Sequence, residues 1–101
     1  MAEQIQHDLG TLKALLAGLA QLDHEHECVS RPEAAELQAA FRDCRLELLR
    51  LIPAQVSEEQ RHRLNQMEAR LDLVARYGAF PDSIGPEAKL ALASFGWPTN
   101  T

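Results

Sequence analysis

Along the first segment, Ile5, Leu9, Leu12, Leu16 and Leu19 recur at alternating spacings of four and three, with Leu15 and Leu22 widening the stripe. That spacing is the seam of an amphipathic helix packed on a partner, and it predicts a helix over residues 3–22. The same pattern returns at Leu37, Phe41, Cys44, Leu48 and Leu51, predicting a second helix over 31–52, and at Leu64, Met67, Leu71 and Val74, predicting a third over 58–77. After Gly78 the texture changes, and a short fourth helix over 86–95 fits between Pro86 and Gly96. The expected fold is all-α, an antiparallel bundle of three long helices plus a short C-terminal helix, in one domain spanning 1–101.

Local signals sharpen these boundaries. Ser30-Arg31-Pro32-Glu33 combines a serine cap, proline in the first turn and an acid three residues on, the pattern of a capping box. Pro53 stops the second helix because it lacks the amide proton and disfavours helical geometry just before it. Ser57 and Gln60 repeat the capping-box spacing, and Gly78 is placed as a C-terminal cap. Glu59 with Arg63 and Asp72 with Arg76 are four apart, suggesting a solvated outer face on the third helix. Gly10, Ala14 and Gly18 share a separate face of the first helix, open to a close-packed neighbour or simply exposed.

More apolar side chains are present than one small core needs. Leu46, Leu49 and Ile52 form a second stripe on the second helix, Leu73 and Tyr77 lie off the main seam of the third, and the last segment brings Phe80, Phe95 and Trp97. These aromatics either cover the bundle or bind something. We therefore take Leu46, Leu49, Leu73, Tyr77, Phe80, Phe95 and Trp97 as the candidate partner or dimer interface, and expect a homodimer that also engages a protein partner.

Charge and composition narrow the function. The net charge is −5, which opposes a nucleic-acid or anionic-membrane surface. Residues 1–30 carry Glu3, Asp8, Asp23, Glu25 and Glu27 against Lys13, whereas eight acids and eight arginines balance over 31–76. The excess negative charge sits at the front. Arg61, Arg63, Asn65, Gln66 and Arg70 are residue types that read a DNA groove, but Glu58, Glu59, Glu68 and Asp72 are interleaved with them. Cys28 and Cys44 make no disulfide framework, and the second sits in register with its helix's apolar residues, so a reducing, cytoplasmic setting is expected.

Candidate chemistry is concentrated in LDHEHECVSRPE, residues 22–33. In an extended loop His24, His26 and Cys28 project to one side, a usable nitrogen and sulfur set for zinc, with Glu25 and Glu27 as outer partners. No paired Cys-x-x-Cys or His-Glu-x-x-His accompanies them, and neither His7 nor His62 supplies a fourth ligand at a recommending spacing. The stretch reads chiefly as an acidic connector ending in a helix cap, with a metal-binding sensor or enzyme as the alternative. Ser30 and Ser57 are explained as caps and Cys44 as core, and the carboxylates read as helix-surface charges without an inward pair. Neither an enzyme nor a cofactor is expected.

RLELLRLIP, ending at Pro53, and HRLNQMEARLDLVARYGAFP, ending at Pro81, resemble the paired helices of quorum-sensing anti-activators of the TraM and QslA kind. The shared features are a helix stopping at a Leu/Ile-Pro junction and a long helix closing with Gly-x-Phe-Pro; together they cover about half the chain. The resemblance implies a cytoplasmic, all-helical dimer that binds a LuxR-type transcription factor and blocks its dimerisation or DNA binding, and it assigns no functional residue. A helical chaperone-like module of a secretion system is a further reading that shares the fold and differs in partner.

Overall fold

The computed structural model describes residues 2–21, 30–78 and 84–98, and is all-helical there. Four α-helices are present among these residues: α1 (Ala2–Ala20), α2 (Arg31–Leu51), α3 (Glu58–Tyr77) and α4 (Ile84–Ser94). Helices α2 and α3 fall where the apolar periodicity places them, to within one residue. α2 ends at Leu51 and not Ile52, because Pro53 pushes the residue before it out of the helical region, to φ −137° and ψ 54°. Pro53–Gln55 form a 3-10 turn that the periodicity did not predict. α4 begins two residues before Pro86, which is tolerated because amides of a first turn have no intrahelical acceptor to lose.

The caps follow the sequence closely. The Ser57 hydroxyl accepts from the Gln60 amide at 3.1 Å while the Gln60 side chain accepts from the Ser57 amide at 2.9 Å. Of the capping box expected at α2, the Ser30 half is present, its hydroxyl accepting from the Glu33 amide at 3.2 Å. Gly78, at φ 66°, closes α3 in the left-handed region that side chains with a Cβ avoid. Gly96, at φ 75°, ends α4 in a Schellman motif: the Gly96 amide donates to Ala93 O and the Trp97 amide to Leu92 O. That motif turns Trp97 back onto the end of its own helix, where it stacks on Phe95 with ring centroids 4.6 Å apart.

Each helix packs on two others, α1 and α3 both lying against α2 and α4 and diagonal to each other. Neighbours run antiparallel. Arg31, at the start of α2, donates through Nε to Ala75 O and through Nη2 to Arg76 O, satisfying carbonyls that the last turn of α3 leaves without partners. Midway along, Arg45 meets Glu68 in a two-pronged bridge at 2.6 and 3.2 Å. Gln60, besides capping α3, donates to Ser94 O at the end of α4. Between the four helices the core is Leu12, Leu16 and Leu19 of α1, Phe41 and Leu48 of α2, all four seam residues of α3, and Ile84, Ala88, Ala91 and Leu92 of α4.

The carboxylates are not all on the surface as the sequence suggested. Glu87 is buried in the α3–α4 seam, its two oxygens 3.4 Å from Arg63 and 3.8 Å from Arg70. Arg63 was expected to pair along its own helix with Glu59, but that contact is longer, at 3.9 Å. The inward side of α3 wins because Glu87 is shielded from water while Glu59 is exposed. The expected Asp72–Arg76 pair does form on the outside, at 2.9 Å. Removing Glu87 takes from Arg63 and Arg70 the carboxylate they share in the seam and leaves each with its bonds along α3, so Glu87→Ala should cost about 2–3 kcal/mol in urea denaturation, below the full cost of an orphaned buried charge. Glu47→Ala, which breaks a 3.3 Å pair with the exposed Arg50, should change stability by less than about 0.5 kcal/mol.

Candidate interaction surfaces

With one stripe of each helix committed to the core, the remaining large apolar side chains fall into two groups. Leu46, Leu73, Tyr77 and Leu90 stand in solvent, at 52%, 44%, 70% and 46% exposure. Leu73 and Tyr77 are one turn apart on α3 and so adjoin on its surface. Leu90 was not among the sequence-derived candidates: on so short a helix, KLALAS offers apolar residues at nearly every position and the buried face cannot be told from the free one.

The second group is drawn inward. Leu49, Phe95 and Trp97 are half-buried against the core, so two of the tail aromatics cover one end of the bundle. Phe80 lies outside the described residues, as do His24, His26 and Cys28. Around the aromatic pair, Leu9, Ile52, Gln55, Val56 and Gln60 complete a half-open groove of about 210 Å³ at the end of the bundle where α1 and α3 start and α2 and α4 finish. It is smaller than the clefts that enclose a drug-sized molecule, and Gln60, one of the polar side chains that line it, is already bonded to Ser57 and Ser94.

Two buried acids were missed from sequence, Glu87 in the α3–α4 seam and Asp8, whereas Cys44 is buried as its register predicts. Asp8 is 6% exposed in α1; Oδ1 accepts from Gln4 at 3.3 Å and Oδ2 has no partner. The signal was available: Asp8 stands three after Ile5 and four before Leu12, in a second seam with Leu15 and Leu19. Across the α1–α2 seam is Cys44, a free thiol buried to 7% exposure. Burial pushes its pKa up, and the carboxylates of Asp8, Asp43 and Glu47 add to that by disfavouring a thiolate. At Arg45 the hydrogen bond that its guanidinium donates to Glu68 moves the guanidinium pKa upward, reinforcing a charge that is present at any working pH.

Among the described residues no group of three or more histidines, cysteines and acids is gathered as for a metal ion. No helix of the described residues is long and apolar enough to cross a membrane. No protein family, characterised protein or solved structure matches the chain.

The Cys44 environment gives a signed pH prediction. With its folded pKa above the ordinary value of 9.0, the folded chain keeps a proton that the unfolded chain releases. Stability from this group is intact below that pH and is lost as pH rises toward the folded value. Urea midpoints measured from pH 7 to pH 10.5 should therefore fall less steeply at the alkaline end in Cys44→Ala than in the parent.

Proposed function

We propose that this chain is a small helical regulatory protein that acts by binding another protein, with a second copy of itself as one partner and a sequestered regulator as the other. The observation that supports this reading is the set of large apolar side chains left in water, foremost Leu73 and Tyr77 side by side on α3. A lone exposed leucine is ordinary, but an adjacent leucine and tyrosine present contact area of the kind that interface anchors use. The partner class we propose is a LuxR-type transcription factor, held so that it does not dimerise or bind DNA, in a cytoplasmic setting. Physically this suits an acidic chain: a net charge of −5 draws it toward the basic surface of a DNA-binding protein and keeps it off DNA.

The test is co-expression with LuxR-type regulators carrying a reporter, together with light scattering of the purified chain. Repression of a reporter, a solution mass of two chains, and release of repression by Leu46→Glu, Leu73→Glu or Tyr77→Glu are expected. Each of these variants should weaken binding about tenfold or more while leaving stability within about 0.5 kcal/mol, since the positions are exposed. A mass of one chain removes the self-association. Variants that repress as well as the parent remove these residues as the contact surface.

A further inference from the structure

Polar ties between helices are distributed unevenly. Arg31 and Arg45 fasten α2 to α3, and Gln60, Arg63 and Arg70 fasten α3 to α4. Among the described residues, no side chain of α1 makes a hydrogen bond or ion pair to another helix; its one side-chain bond is internal, Gln4 to Asp8. The contacts that hold α1 among the described residues are apolar: Leu12, Leu16, Leu19 and Ala20 are buried, and Ile5, Leu9 and Leu15 pack against the core from its edge.

Three features of α1 also work against its docking or its helicity. Asp8 is taken out of water with Oδ2 unmatched, which costs free energy only while α1 is packed down. Gly10 and Gly18 each raise the conformational entropy lost on forming the helix. Their packing does not require glycine, since a Cβ at either position meets nothing within 4 Å. Among the described residues, no other helix packs closely on Gly10 or Gly18. A buried acid without a partner and glycines without a packing reason each lower the free energy needed to open α1 locally.

We infer that α1 is a releasable strap: it opens from the bundle while α2, α3 and α4 stay assembled, uncovering the apolar sides of α2 and α4 that it covers when closed. This goes beyond the binding function proposed above and does not depend on it. Asp8 sets the balance, because its carboxylate regains water on opening, and the two glycines lower the cost of the freed segment losing its helix.

Hydrogen exchange read by mass spectrometry at peptide resolution tests the inference on the full chain. Amides of α1 should show at least about tenfold less protection than those of α3, because local opening exposes the first and not the second. Gly10→Ala and Gly18→Ala should each raise α1 protection about threefold and leave α3 where it was. Asp8→Leu should raise it about tenfold, and Asp8→Asn, which keeps the shape, should move it in the same direction. Equal protection of α1 and α3 in the parent, or substitutions that raise every helix alike, would mean that α1 leaves only when the whole bundle unfolds, and would overturn the inference. The glycine variants keep the test decisive if Asp8→Leu repacks the seam.

Discussion

The seam between α3 and α4 fixes the rest of the bundle. Glu87 lies there out of water between Arg63 and Arg70, and these two cations offset the cost of burying its carboxylate, which favours the register that keeps α4 with that side chain between them. Gln60, reaching Ser94 O one end further on, sets the same register independently. Once α4 is fixed in this register, its glycine stop falls beside the Pro53 turn, and Phe95 and Trp97 close that end of the core. On the opposite flank, Arg45 with Glu68 and Arg31 with the last carbonyls of α3 do for α2 what Glu87 does for α4. α3 is thus fastened on both sides, and its four seam residues are fully buried at the centre.

Much of this was legible because it is local. A four-three stripe is a property of neighbouring residues, as is Ser57 capping Gln60 or Gly78 ending a helix, and these elements fall within a residue or two of where the pattern places them. The features that were not legible join residues far apart. Nothing near Arg31 says that its guanidinium will cap another helix 44 residues on, and nothing near Arg45 names Glu68. Asp8 and Glu87 show a different failure. Each is one charged residue at a stripe position, and apolar neighbours on either side make the stripe readable without it, so the acid passes for surface. The candidate contact residues divided for a physical reason as well. Leu46, Leu73 and Tyr77 lie off the filled seams and stay exposed, whereas Leu49, Phe95 and Trp97 sit at a bundle end where core remains to be covered.

The same division bears on function. Leu73 and Tyr77 stay in water, and among the described residues no side chain of α1 makes a polar tie to another helix; the proposed binding role rests on the first feature and the proposed release of α1 on the second. The ion pairs and side-chain hydrogen bonds that join helices among the described residues all lie between α2 and α3 or between α3 and α4, although Arg63 Nε of α3 is itself buried without a partner. α1 carries an unmatched buried acid, two glycines with open space around them, and part of the excess negative charge at the front of the chain. Such asymmetry separates a stable platform from an element whose position a partner can bias, because a ligand shifts an equilibrium only by its preference for one of the two states.

Cys44 offers the most direct measurement, since it is buried beside Asp8 at the α1–α2 seam and becomes accessible when α1 lifts. In a Cys28→Ser background, the rate of thiol labelling at Cys44 can be followed at increasing urea. If α1 opens over a standing three-helix platform, labelling below the unfolding transition depends weakly on urea and implies an opening equilibrium well above that of global unfolding. If labelling follows the urea dependence of complete unfolding at every concentration, the four helices open as one unit and the platform account is wrong.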